Sequence, residues 1–285
     1  MTKLIDRTYL LVGTVTKDLL SDGGSTTGGT ITYAATIAKN MGWQPVIVTR
    51  AAPDFIPPVH LADAEWRVLP SAQTTTFRNE YFPDGRRQTI GPIAPAIAPA
   101  DIPADCHQAN LVHLCPLAQD VEPDVSTVFE NSLLTATLQG WLRQWDRRGI
   151  VSLGGWQKME NILPKLHAAV ISIEDVEHDW GIVEKWLGQA NILIVTQGEE
   201  GCTVFRDGQC WTVPPRPSHP VDPTGAGDIF AAAFFIRFYE TENLWQSARF
   251  ANVTASMAIE RRGVAEAPNR DEVESYLAQN PVKDA

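Results

Sequence analysis

"VDPTGAGDIF", residues 221–230, sets two glycines, an alanine and an aspartate between a proline turn and the apolar run Ile229 to Ile236. Asp222-Pro223-Thr224-Gly225 is turn chemistry with proline in the second position. The residues that follow predict a helix over 226–239. The first N–H groups of a helix lack internal partners, and with the helix dipole they attract anions. Glycine lets an anion approach the bare backbone. Asp228 then places a carboxylate at the mouth of an anion site, where it would repel phosphate. The arrangement makes sense if the carboxylate takes a proton from a hydroxyl while the amides receive a phosphoryl group. The plainer reading is an aspartate that only complements the dipole. On either reading the dipole keeps Asp228 ionised at neutral pH.

The 285 residues are 44% hydrophobic and 20% charged, ordinary globular composition, with a formal net charge of -11. That length suits one α/β domain spanning 1–285. Such an acidic chain without a basic run does not read as a nucleic-acid binder. Cys106, Cys115, Cys202 and Cys210 form no C-x-x-C pair and read as reduced thiols of a cytoplasmic protein. The first residues read as neither a signal peptide nor a membrane segment.

The pattern alternates. Strands are predicted at 8–13, 45–49, 111–117, 150–153, 169–173 and 191–196. Helices are predicted at 28–42, 133–149, 156–167, 175–187, 226–239 and about 243–260. A hairpin is predicted over 201–213 about Asp207-Gly208. This order implies a parallel sheet between helices. Over 74–90, Phe77 and Tyr81 alternate with Arg78 and Glu80 before Pro-Asp-Gly, which predicts a projecting hairpin within an excursion of about 72–92.

"DPTGAGDIFAAAF" resembles the C-terminal signature of the ribokinase-like (PfkB) carbohydrate kinases. The resemblance implies a three-layer α/β/α fold with a mostly parallel central sheet and a small β-hairpin lid. It implies an ATP-dependent small-molecule kinase using Mg²⁺, with Asp228 as general base and Gly225, Ala226 and Gly227 as the anion hole. Asp18, Gly28 and Gly29 match the family's substrate-binding positions, and Phe77, Asn79 and Tyr81 would face the substrate from the lid. Thr196, Gly198 and Gly201 in "VTQGEEG" resemble the segment bordering the nucleotide, and Asn252 and Ala255 fall on the helix beside adenine. Glu177 matches the glutamate of the family's N-x-x-E metal motif. Glu174 replaces its asparagine, and an i, i+3 spacing would put both on one helix face. Backbone around Asp222 and Gly263 is where several relatives hold a monovalent cation, and lids in the family sometimes pair subunits into homodimers.

Two departures point to an unusual acceptor. Thr30 and Tyr33 stand near places where ribokinase patterns have Lys and Asn. "SLGGWQK", with Trp156, Gln157 and Lys158, replaces the D-x-N-x-R expected after strand 150–153. The acceptor is expected to be a sugar, a polyol (inositol-like among them) or a nucleoside. The alternative is a ligand-binding relative that lost turnover. A dinucleotide oxidoreductase lacks its G-x-G-x-x-G after the first strand, and a protein kinase lacks H-R-D and D-F-G.

Overall fold

The computed structural model describes residues 7–20, 22–82, 85–154 and 159–281. In chain order, β1 (Thr8–Val12) leads into a hairpin of β2 (Thr16–Leu19) and β3 (Ser25–Gly28). Helix α1 (Thr30–Asn40), β4 (Gln44–Ala51), β5 (Glu65–Pro70), β6 (Thr75–Phe82) and β7 (Gly85–Ile90) follow. Next come β8 (Leu111–Leu114), β9 (Leu133–Thr137), α2 (Gln139–Leu142), β10 (Arg143–Trp145), β11 (Val151–Leu153), α3 (Met159–Ile162), β12 (Ala168–Ser172), α4 (Trp180–Trp186) and β13 (Leu193–Thr196). The chain ends through β14 (Cys202–Arg206), β15 (Gln209–Val213), α5 (Ala226–Thr241), α6 (Leu244–Ala258) and α7 (Arg270–Gln279).

Nine strands form one sheet in the order β15-β14-β13-β12-β9-β8-β1-β4-β5. All its pairings are parallel except those of the β14–β15 hairpin at one edge. Its central strands are buried on both faces, as parallel sheets require, whereas the edge strands β5 and β15 are partly exposed. Tyr9 and Leu11 point into the core under α1, α5 and α6, whereas Leu10 and Val12 point into the opposite core with Trp141 of α2, Ile162 of α3 and Val183 of α4. Helix α5 lies deep in the first core. It is apolar nearly all round, and Ala231, Ala232 and Ala233 are all buried, so their small side chains let α5 sit close to its neighbours. Arg270 on α7 grips Glu240 of α5 at 2.6 Å and the carbonyl of Met41 at 2.7 Å.

The lid is larger than a hairpin. β6 and β7 pair as predicted, but β2 and β3 join them in a four-stranded sheet, β3-β2-β6-β7. Strands β2 and β3 flank the Asp22-Gly23-Gly24 turn, in which Asp22 Oδ1 accepts the Gly24 N–H at 2.8 Å. The Pro83-Asp84 part of the β6–β7 turn lies outside the described residues.

Four further expectations are corrected. Residues 133–149 are not one helix: they form β9, a single turn of α2, and β10. "LLTAT" is a short apolar run rich in threonine, which periodicity alone does not distinguish from a helix. The basic residues and Gly149 that resembled a helix end form a turn, in which Asp146 Oδ1 accepts the N–H groups of Arg148 and Ile150, both at 2.9 Å. The strand at 150–153 lies outside the main sheet, paired with β10. The helix expected over 156–167 is only α3 and a 3-10 turn, because Pro164 cannot continue it; Trp156, Gln157 and Lys158 lie outside the described residues. The helix expected over 175–187 breaks at Glu177 and His178, both left-handed (φ 53° and 60°), before α4 begins at Trp180.

Candidate active site

Asp228 sits where two helix starts meet. Gly225 caps α5 in the left-handed region (φ 75°), so the N–H groups of Gly227 and Asp228 open the helix without intrahelical acceptors. Thr30, first residue of α1, donates its hydroxyl to the Asp228 carboxylate. An added Cβ on Gly227 would meet nothing within 4 Å, whereas one on Gly225 would lie 2.3 Å from Cδ1 and Cε1 of the Tyr33 ring. The first glycine leaves space for a ligand, and the second lets Tyr33 pack flush against the turn.

These residues open into a cavity of about 750 Å³, ample for a small molecule and a nucleotide together. Burial pushes the Asp228 carboxyl up to about 6; the Thr30 hydrogen bond and the Arg143 charge oppose the rise, and the Asp175 charge adds to it. The dipole argument predicted the opposite direction of shift. The group is nevertheless mostly ionised at neutral pH, which a base requires.

Towards the lid the cavity is walled by Thr16, Asp18, Phe77, Asn79 and Gln88. Asp18 accepts the Thr16 hydroxyl at 3.0 Å, and burial raises its carboxyl above the usual value while Thr16 and Arg143 hold it down. Gly28 lies behind it: a Cβ there would come within 2.1 Å of Asp18 Oδ2. Asn79 Oδ1 accepts from Gln88 Nε2 at 2.9 Å across the β6–β7 pair. The side chain of Tyr81 lies outside those described.

On the other side the cavity runs past Thr196, Gly198, Gly201, Asn252 and Ala255. The Asn252 amide is already engaged, donating to the Val213 carbonyl at 2.9 Å and the Pro214 carbonyl at 3.2 Å. Glu174 lines the cavity, but Glu177 does not. Residues 173–176 form a 3-10 turn that Glu177 closes in a left-handed conformation, so the two glutamates share no helix face. The neighbouring carboxylate in the cavity is Asp175, held by Gln139 Nε2 at 2.5 Å and by the Ser172 N–H at 3.2 Å.

Sequence reasoning missed Gln139, Asp175 and, above all, Arg143. Arg143 is buried, its guanidinium lies 5.6 Å from the Phe77 ring centroid, and its charge acts on Asp18, Asp175 and Asp228. The strand at 150–153, after which D-x-N-x-R was sought, is β11, two strands past β9. The sheet strand is β9, and its following turn supplies Gln139 and Arg143.

Residues 156–271 match the family model "pfkB family carbohydrate kinase". Over that stretch, less than half of its length, the chain is similar to the PfkB carbohydrate kinases. An inositol 3-kinase of Zea mays is 28% identical over 282 residues, covering 90% of this chain and 73% of that protein. A pyrophosphate-dependent kinase of the ribokinase family, solved with a pyrophosphate analog and myo-inositol, superposes with a TM-score of 0.76 at 23% identity, over 94% of this chain and 99% of that one. An Arabidopsis thaliana ribokinase solved with ribose and ATP superposes at 0.73 with 17% identity, over 96% and 99%. At those identities the two structures establish the shared fold alone. Among the described residues, no helix is long and apolar enough to cross a membrane.

Proposed function

We propose that the protein transfers the γ-phosphoryl group of ATP to a hydroxyl of a sugar or polyol, with Asp228 as the base. The observation that carries this reading is a carboxylate lining the cavity beside the open amides of Gly227 and Asp228 at the start of α5. Asp18 and Arg143, with Asn79 and Gln88 on the lid, present acceptors and donors suited to several hydroxyls at once. The acceptor hydroxyl loses its proton to Asp228 while its oxygen attacks phosphorus, and the α5 amides take up the growing charge. The inositol 3-kinase and the myo-inositol complex support a cyclitol among the acceptors. The relatives leave the donor open between ATP and pyrophosphate. The cavity beyond the phosphate site, walled by Ala255, Ile259, Pro217 and Pro220, favours a nucleotide, because pyrophosphate has no base to fill an apolar slot.

A divalent ion fits as a companion of the phosphates. Among the described residues, no group of three or more His, Cys, Asp or Glu side chains is placed to hold a metal. Glu174 and Asp175 would act on Mg²⁺ through its water shell, and the ion would neutralise phosphate charge. A monovalent cation beside Asp222 and Gly263 rests on the resemblance alone. Pairing of two chains through the lid rests on β3, which stands at the edge of the lid sheet.

The test is product release with Mg·ATP or pyrophosphate over a panel of cyclitols, sugars and nucleosides. Turnover of a cyclitol or sugar with ATP is expected. Saturable binding of these compounds without turnover from either donor would favour the non-catalytic alternative.

The acid limb of the rate supplies a second test. Asp228 works ionised, so kcat/KM is expected to rise with pH through about 6 and to fall about tenfold per unit well below that. Arg143 holds this carboxyl down, so Arg143→Met should move the limb to higher pH. A limb that is unmoved or shifted downward contradicts the assignment.

A further inference from the structure

Asp120 takes no part in the chemistry above, yet its carboxylate is buried, only 1% exposed. Oδ1 accepts the N–H groups of Leu117 at 2.6 Å and Ala118 at 2.9 Å, and Oδ2 accepts that of Thr14 at 3.0 Å. Burial pushes its carboxyl up, and these bonds hold it down. A buried charge needs compensation beyond dipoles. The peptide unit joining Leu117 to Ala118 provides a route to it. Its N–H donates to Asp120, and its carbonyl accepts from Arg143 Nη1 at 3.1 Å. Carboxylate, peptide and guanidinium therefore form one line in which each bond polarises the next. Gln119 closes the arrangement, its Nε2 donating to the Arg143 carbonyl at 2.6 Å.

We propose that Asp120 is a positioning residue for the acceptor pocket, holding Arg143 against the cavity through the Leu117–Ala118 peptide. This rests on the reading of that side of the cavity as the acceptor site. Asp120 thus ties the loop after β1, the loop after β8 and the turn after β9 to one cation.

The test uses the sign of a shift at Asp228, followed by carboxyl ¹³C NMR in the full chain without substrate. Asp228 is faced by Arg143 from β10, Asp175 from the turn after β12, Cys115 beside β8 and Thr30 from α1. Deleting a distant negative charge alone would make Asp228 more acidic. If Asp120 instead positions Arg143, Asp120→Ala should make Asp228 less acidic by about threefold in its dissociation constant, in the same direction as Arg143→Met. The double variant should then add nothing beyond Arg143→Met. Asp120→Asn keeps an oxygen for Leu117 and Ala118 but loses the charge, so Asp228 should stay at its wild-type value or become slightly more acidic, opposite to the alanine variant. Should the alanine variant not fold, Asp120→Ser, too short to hold both N–H groups, carries the same test. In the alanine or serine variant, a downward shift, an unchanged titration, or additive effects with Arg143→Met would overturn the proposal. None of these readings needs turnover, so failure of Asp228 as base would show separately in the rate assay.

Discussion

Asp228→Asn is expected to lower kcat by about 10²–10⁴-fold, the usual contribution of a positioned general base. Asparagine has nearly the same volume, and its carbonyl can still accept the Thr30 hydroxyl. The change also removes a carboxyl that burial has already raised to about 6. Folding should therefore be unharmed, and the midpoint of thermal unfolding equal to wild type or higher. KM for the donor should change little, because the amides of α5 remain in place. Initial rates with Mg·ATP, beside a thermal melt of both proteins, give the comparison. Loss of rate at unchanged stability places the aspartate in the chemistry. A rate within twofold of wild type returns it to the plainer role of complementing the helix dipole.

Gly225→Ala is expected to be nearly as damaging, by a different route. The residue has φ 75°, and a side chain in that region costs about 1–2 kcal/mol. The new methyl would also lie 2.3 Å from the Tyr33 ring, so either the ring or the turn must move. Movement of the turn re-aims the N–H groups that follow it, and loss of one such donor typically costs about 10²–10³-fold in kcat. The expected result is a fall in kcat of about that size with a lowered melting midpoint. Gly227→Ala serves as the contrast. Its Cβ would meet no protein atom within 4 Å, so the melt should stay near wild type while KM for the donor rises. Equal melts and equal kinetics in the two variants would mean that the turn does not receive phosphate.

The anion turn was legible in the sequence because its chemistry is local. Proline, glycine and aspartate act through neighbouring backbone, and seven consecutive residues carry the pattern. Gly28 and Asp18 were legible as types, but the reason they belong together was not. Their contact depends on the register in which β2 pairs with β3, and turn residues alone do not fix that register. Arg143 was hidden for a related reason. "LLTATLQGWLRQWDRRG" has leucines and tryptophans at helical spacing, which puts Arg143 in the middle of a predicted helix. Tertiary pairing with β8 and β12 overrides that spacing, and one turn of helix then points the arginine inward. Glu177 shows the converse error. An i, i+3 spacing implies a shared face only in a continuous helix, and two left-handed residues end the turn first.

The account rests on the donor phosphates lying at the start of α5 with the acceptor hydroxyl beside Asp228. A crystal structure of the ternary complex with a non-hydrolysable ATP analogue, Mg²⁺ and the best acceptor from the panel tests this directly. The account predicts the terminal phosphate within hydrogen-bonding distance of the Gly227 and Asp228 amides, and one acceptor oxygen within about 3 Å of the Asp228 carboxylate. Phosphates bound elsewhere in the cavity, or an acceptor whose hydroxyls all face Arg143 and Asp18 and none Asp228, would contradict it.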